Sequence, residues 1–119
     1  MKALRSHAVG GPETLILDEL ESPVPGPGQV RIKVKACAIN YPDVLIIKDM
    51  YQFKPARPFA PGGELSGVVD AVGEGVTQWK AGDRVIAMMG NGGLATEVLA
   101  DAAKLFPLPD GVSFETGAS

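Results

Sequence analysis

The clearest pattern in the chain is an alternation of apolar and charged residues in the stretch QVRIKVKACAI, which begins at Gln29. Its valines and isoleucine stand at every second position, and an arginine and two lysines lie between them. A period of two is typical of a strand with one buried face and one face in water. The pattern therefore predicts a half-buried strand over this stretch.

Further short apolar segments, separated by glycine and proline turns, predict a fold made mostly of strands. The additional predicted strands are ALRSHAV, TLILDEL, ELSGVVDAVGEGV, GDRVIAM and LATEVLA. The stretch YPDVLIIKDMY predicts one or two helical turns instead, because Pro42 and Asp43 suit a first turn. Ser113 is a predicted N-cap of a last helix. Many short strands at close spacing predict a β-barrel or a sandwich.

Composition and charge place the chain among single-domain globular proteins. It has 119 residues, of which 45% are hydrophobic and 21% charged, and its net charge is −3. The absence of a basic cluster argues against nucleic acid and against an anionic membrane surface as partners, and no apolar run has transmembrane length. With one cysteine, the chain has no internal disulfide, which predicts a reducing, cytoplasmic location.

The inventory of metal ligands argues against zinc. A catalytic zinc site needs three ligands and a structural site needs four, whereas this chain has one histidine, His7, and one cysteine, Cys37. We expect His7 to be a surface residue or a satisfied polar residue, and Cys37 to be a small core residue. The stretch GEGVTQW begins like a dinucleotide-binding G-x-G-x-x-G motif but ends in Gln78 and Trp79, so no such unit is predicted.

Polar residues concentrate around the predicted short helix. Asn40, Tyr41, Asp43 and Tyr51 fall within twelve positions, and the glycine-rich stretch PGGELSG follows ten residues later. Asn and Tyr side chains can hydrogen-bond a ligand amide or carbonyl, and glycines allow backbone to approach a flat ring. A capped turn followed by an ordinary glycine bend explains the same residues. Composition alone leaves both interpretations open.

The stretch PGGELSGVVDAVGEGVTQWKAGDRV carries a family resemblance. In order, it contains Gly-Gly-Glu-x-x-Gly-x-Val, a Val-Gly pair and Gly-Asp-x-Val. This spacing resembles the signature of the medium-chain dehydrogenase/reductase superfamily. In the zinc enzymes of that superfamily, the first of these three motifs reads G-H-E-x-x-G-x-V. The opening MKALR and the stretches PVPGPGQVRIKVKA and VKACAINYPDV fit the same family.

The departures from the zinc enzymes point to one branch of that superfamily. Asn40 stands where the zinc enzymes have a ligand cysteine, and Gly63 stands where they have a ligand histidine. Their cysteine-rich lobe is also missing, because AMMGNGGLATEV runs directly from strand to strand. Zinc-independent quinone oxidoreductases carry I-N-x-x-D here, which Ile39, Asn40 and Asp43 reproduce. The chain is therefore similar to that branch, and the resemblance implies that no zinc is bound.

The resemblance implies a fold for the whole chain. Residues 1–119 would form a mainly β, GroES-like twisted β-barrel with short helices, lacking the Rossmann domain. We expect the chain to be a fragment of a two-domain enzyme, since its last predicted helix stops within a turn or two. Gly62, Gly63, Glu64 and Gly67 would shape the site, with Glu64 a structural or polarising acid and the glycines forming bends.

The resemblance also implies a reaction, namely NADPH-dependent reduction of a quinone or another activated enone. Asn40, Asp43 and Tyr51 would be catalytic, and Asn40, Tyr41 and Tyr51 would bind the cofactor. The main cofactor site would lie in the missing domain, so the isolated chain is predicted to be inactive, and the parent enzyme would be a homodimer. Two alternatives remain open, an enoyl-thioester reductase of the same superfamily and a stand-alone GroES-like binding module.

Overall fold

Seven strands and two short α-helices form the regular structure of the described residues, which are 1–48, 50, 55–89 and 91–118 of a computed structural model. The strands are β1 (Lys2–Ser6), β2 (Leu15–Glu19), β3 (Gln29–Ala38), β4 (Glu64–Val72), β5 (Arg84–Met88), β6 (Glu97–Asp101) and β7 (Leu105–Pro107). The helices are α1 (Tyr41–Ile47) and α2 (Phe114–Gly117). Each predicted strand is present, while β7 and the 3₁₀ turns at Pro12–Thr14 and Ala102–Lys104 were not predicted.

All strand pairs are antiparallel and fall into two sheets. Strands β1 and β2 form a two-stranded ribbon, and the other five strands form a sheet in the order β6-β3-β4-β5-β7. Two isolated bridges, Ala3 with Ala95 and Ser6 with Phe59, attach the ribbon to segments that flank the larger sheet. The predicted mainly β class is therefore confirmed.

A three-residue connection forces the larger sheet to curl. Strands β6 and β7 lie at opposite edges of the sheet, yet only Ala102–Lys104 separate them in the chain. The four residue-to-residue steps of backbone from Asp101 to Leu105 span at most about 14 Å. In a flat five-stranded sheet, the two edge strands would lie about 19 Å apart. The two edges must therefore approach each other, which bends the sheet toward a barrel around one core.

The inward face of that sheet follows the predicted alternation. Val30 and Ile32 of β3 are fully buried, whereas Lys33 and Lys35 are exposed. The buried cluster inside the curl takes residues from β3 to β7 and from the turn before β7: Val30, Ile32, Leu65, Val69, Val85, Ala87, Val98, Ala100, Ala102 and Leu105. Because the core draws on every strand of the sheet, the strands are held together by side chains as well as by hydrogen bonds.

The short helix α2 is held by side chains of the barrel. Ser113 caps α2, as predicted, because its hydroxyl accepts a hydrogen bond from the Thr116 amide at 3.1 Å. The Ser66 hydroxyl donates to the Phe114 carbonyl, and the Arg84 guanidinium lies 4.5 Å from the centre of the Phe114 ring. Among the described residues, no helix is long and apolar enough to cross a membrane.

Gly67 allows β3 and β4 to approach closely. A Cβ atom at Gly67 would lie 2.2 Å from the Lys33 carbonyl oxygen and 2.8 Å from Cγ2 of Ile32. The first of these atoms belongs to the backbone, so it cannot turn away as a flexible side chain would. We therefore expect Gly67→Ala to lower the free energy of unfolding by about 2 kcal/mol or more, as overpacked cores do. Urea unfolding of the chain measures this loss.

The matched control is Gly26→Ala, whose added Cβ would meet only the side-chain oxygen of Gln29 at 3.3 Å. This variant should unfold within about 1 kcal/mol of the wild-type chain, the cost of a modest local adjustment. Equal losses in the two variants would contradict a steric role for Gly67.

Candidate functional site

The N-terminus of α1 lies just beyond the end of β3. Asn40 is the N-cap, with the extended backbone angles φ −118° and ψ 166° that this position needs. Asp43, three residues later, accepts a hydrogen bond from the Asn40 amide through Oδ2 at 2.8 Å. Pro42 falls in the first turn, where a missing amide hydrogen costs nothing. The helix predicted from YPDVLIIKDMY is therefore present and begins with a capping box.

The second oxygen of Asp43 reaches a different segment. Oδ1 accepts a hydrogen bond from the amide of Gly62 at 3.2 Å, and the Asp43 residue is only 6% exposed. A buried carboxylate is stable only if its oxygens are hydrogen-bonded. Asp43 meets that condition with two backbone amides, one from each segment. It thereby joins the start of α1 to residues 60–63 before β4, here called the glycine bend.

The glycine bend is also held from its other side by the loop over residues 91–94. Three successive carbonyl groups of the bend accept hydrogen bonds from three successive amides of this loop. The pairs are Gly92 N with Ala60 O at 2.7 Å, Leu94 N with Pro61 O at 3.0 Å, and Gly93 N with Gly62 O at 2.9 Å. The carbonyl groups of three successive bend residues are therefore all paired with this loop, which fixes the bend from that side.

Cys37 explains why glycine occupies positions 62 and 93. A Cβ atom at either glycine would lie 2.6 Å from Sγ of Cys37, and Gly62 also has a φ of +102°. Side chains rarely adopt that backbone region. The thiol of Cys37 therefore fills the space that two side chains would otherwise take. Cys37 is half-buried and packs against the core, close to its predicted role.

Two carboxylates influence the Cys37 thiol. Glu64 is half-buried at the start of β4, where it pairs with Ala38 of β3 and Met88 of β5. Burial raises the pKa of Cys37 to about 11, and the charges of Asp43 and Glu64 act in the same direction. The thiol is therefore protonated near neutral pH and is a poor nucleophile.

Most of the predicted site residues meet at one end of the barrel. One segment carries Asn40 and Asp43, and the other carries Gly62, Gly63 and Glu64. The two segments are joined by the hydrogen bond from Gly62 to Asp43 and by the strand pair Ala38 and Glu64. Tyr41 is the first residue of α1. Gly67 lies further along β4, opposite Val34, where it acts by close packing. Tyr51 lies outside the described residues.

Sequence reasoning missed the contribution of the loop over residues 91–94. The stretch GNGG indicated only a turn between strands, although Gly93 is buried against Cys37 and the glycine bend. Its cluster of three glycines was the available signal. The prediction for His7 is confirmed, because this residue is exposed directly after β1, with Nε2 2.6 Å from Oδ2 of Asp18.

The chemistry of the ligands does not suggest a metal site in the described part of the chain. There, no group of three or more His, Cys, Asp or Glu residues lies close enough together to hold a metal ion. His7 is on the β1–β2 side with Asp18, while Cys37 faces Gly62 and Gly93. The absence of zinc from the reaction stays a prediction.

Comparison with known families identifies this architecture. The alcohol dehydrogenase GroES-like domain matches residues 26–110, which is more than half of the chain. The chain belongs to this family. The matched region contains every strand of the larger sheet and both segments that Asp43 joins.

Relatives narrow the assignment within the superfamily. The chain is 40% identical, over its whole length, to a quinone oxidoreductase of Mus musculus. It is 43% identical, over 82% of its length, to the synaptic vesicle membrane protein VAT-1 homolog of Rattus norvegicus. The crystal structure of Escherichia coli quinone oxidoreductase complexed with NADPH superimposes with a TM-score of 0.93 at 34% identity over 99% of the chain.

These similarities confirm the predicted GroES-like fold and the resemblance to the quinone oxidoreductases of the medium-chain superfamily. The same comparisons show how much of each relative the chain matches. The chain spans 37% of the mouse quinone oxidoreductase, 24% of the rat protein and 36% of the Escherichia coli enzyme. The similarity therefore concerns one part of each of these longer proteins.

The raised pKa of the Cys37 thiol can be tested by alkylation. With a pKa of about 11, only about one Cys37 thiol in a thousand is ionised at pH 8, so iodoacetamide should react slowly. Cys37 lines a cavity of about 400 Å³ beside the β1–β2 ribbon, which gives a small reagent access. We expect the reaction rate, followed by mass spectrometry, to rise up to a pH of about 11.

The control thiol is Thr77→Cys in a Cys37→Ala background, because Thr77 is exposed. Its alkylation at pH 8 should be at least about tenfold faster, even after allowing for the greater nucleophilicity of a thiolate with a high pKa. The stability of the wild-type chain should also fall between pH 9.0 and 11, because the unfolded thiol ionises more easily than the folded one. Equal alkylation rates would contradict the raised pKa.

Proposed function

We propose that this chain is the substrate-side domain of an NADPH-dependent reductase that acts on quinones or other activated enones without zinc. The observation that carries the proposal is the junction at the barrel end, where Asn40, Asp43 and Glu64 come together. The similarity to quinone oxidoreductases supports the same activity. In this proposal the chain would be one part of a longer parent protein, and that protein would perform the reaction.

The donor groups at the junction suit the nicotinamide end of such a cofactor. Asn40 is half-buried, and its carboxamide has both donor and acceptor atoms, complementary to the carboxamide of a nicotinamide. Tyr41 follows at the start of α1. The sequence has no glycine-rich strand–turn–helix motif for a pyrophosphate. This chain would therefore orient the reactive ring, while another domain supplies most of the affinity.

The absence of a metal from the proposed reaction restricts the substrate. When bound, NADPH supplies a hydride, and the acceptor must take up the electron pair without a Lewis acid on its oxygen. Quinones, α,β-unsaturated carbonyls and enoyl thioesters are electron-poor enough, whereas simple ketones are not. In our proposal Asn40 and Asp43 shape the nicotinamide side of the cleft, and Tyr51 hydrogen-bonds the cofactor or the substrate.

A second enzymatic candidate is an enoyl-thioester reductase, which uses the same hydride chemistry on a larger acyl substrate. Profiling quinones, enones and enoyl thioesters with the longer protein separates the two. A non-enzymatic binding role is the third candidate, and the chain is also similar to the VAT-1 homolog, a protein named for synaptic vesicle membranes. NADPH oxidation with none of these acceptors would support that role. The predicted homodimer of the parent and its cytoplasmic location stay predictions.

The roles of Asn40 and Tyr51 can be tested in the longer protein. Asn40→Ala and Tyr51→Phe should each lower kcat/KM for a quinone by about tenfold, because positioning groups contribute that order of rate. Exposed Gln78→Ala is the control and should leave kcat/KM unchanged. Since Asn40 is also an N-cap, thermal unfolding separates lost stability from lost turnover. Unchanged kcat and KM for both ligands in both variants would contradict these roles.

The 119-residue chain by itself should bind NADPH poorly and reduce no quinone. The physical reason is that the pyrophosphate normally binds a helix N-terminus in a Rossmann domain, which contributes most of the grip on the cofactor. Calorimetric titration with NADPH and an assay of its oxidation test this expectation. Robust turnover by the chain alone would refute it.

A further inference from the structure

The buried carboxylate of Asp43 uses both of its oxygens on backbone amides. Oδ2 accepts from Asn40 N at 2.8 Å, and Oδ1 accepts from Gly62 N at 3.2 Å. The residue is 6% exposed. A carboxylate held between two amides is well suited to fixing a geometry, because each hydrogen bond to a charged acceptor is stronger than a neutral one.

These two hydrogen bonds continue a connection that the sheet leaves incomplete. The ladder between β3 and β4 ends with the pair Ala38 and Glu64. Beyond that pair, Asn40 and Gly62 each lie two residues outside the strands, and no ladder hydrogen bond joins them. The Asp43 carboxylate accepts a hydrogen bond from each of these amides, so its side chain joins the two segments where the backbone hydrogen bonds between the strands have ended.

We propose that Asp43 is a positioning residue, which holds the α1 segment bearing Asn40 against the bend that leads into Glu64. The inference deepens the function proposed above and rests on it. Asp43 acts on the reaction through the two backbone segments that it joins, and it transfers no proton. Its contribution is the fixed separation of the polar groups around the reacting ring.

Two substitutions distinguish this role from helix capping. Asp43→Asn retains one acceptor oxygen but places an NH₂ group against one of the two amide donors, so one hydrogen bond must be lost. Asp43→Glu retains the negative charge, and glutamate is the residue most typical of the third position in a capping box. Its longer side chain displaces the oxygen that faces Gly62. A capping role alone predicts that Asp43→Glu behaves like wild type.

Amide hydrogen exchange of the 119-residue chain, followed by NMR, tests the geometry. In Asp43→Glu the Asn40 amide should stay protected, while the Gly62 amide exchanges at least tenfold faster than in wild type. The Val69 amide, which donates to the Asp83 carbonyl at 2.9 Å within the barrel, is the internal reference. Unchanged protection of Gly62 in both variants would overturn the proposal.

Kinetics of the longer protein test the consequence for the reaction. Asp43→Asn and Asp43→Glu should each lower kcat for quinone reduction at least tenfold, while the Kd for NADPH changes less than threefold. The pH profile of kcat should keep its shape in both variants. Asp70→Asn is the control, since Asp70 pairs with Arg31 on the outer side of the barrel and should leave kcat unchanged.

The outcomes separate the two proposals. If the wild-type longer protein oxidises no NADPH with any acceptor, the proposed function fails. If wild type is active and both Asp43 variants keep kcat within twofold, the positioning role is wrong. Loss of one limb of the pH profile in Asp43→Asn would also overturn it, because that result would assign proton transfer to Asp43 itself.

Discussion

The antiparallel ladder between β3 and β4 lies at the centre of the larger sheet, and the other three strands of that sheet add to either side of it. Its inward residues, among them Ile32 and Leu65, are fully buried and form the middle of the core. The three-residue connection between β6 and β7 then brings the outer edges together. A curl of this kind brings the two edge strands toward each other around one core and gives a stable frame for the loops at its ends.

Close packing explains why glycine stands at three positions in and near the candidate site. Gly67 faces the Lys33 carbonyl across the central ladder, and Gly62 and Gly93 both leave room for the Cys37 thiol. These contacts hold the bend before β4 in one position. A rigid bend is what a site needs if polar groups on separate segments are to meet a ligand with little loss of entropy.

The local elements of the fold were predictable because they depend on short-range physical chemistry. The period of two in β3, the proline and aspartate that start α1 and the Ser113 cap each act within a few residues. The 3₁₀ turn at Ala102–Lys104 and strand β7 were missed. Both are stabilised by burial of Ala102 and Leu105 in the shared core, which depends on distant residues. The one local signal for the turn is Asp101, whose side chain accepts a hydrogen bond from the Ala103 amide at 3.0 Å.

The sequence by itself determined the strand-rich class, the start of the short helix and the family resemblance, since these depend on residue type and spacing along the chain. Only the tertiary structure decided that Asp43 bridges the amides of Asn40 and Gly62, and that Cys37 occupies the space beside two glycines. The reason is physical. Hydrogen bonds and steric contacts between segments 19 or more residues apart exist only after the sheet has curled and brought those segments together.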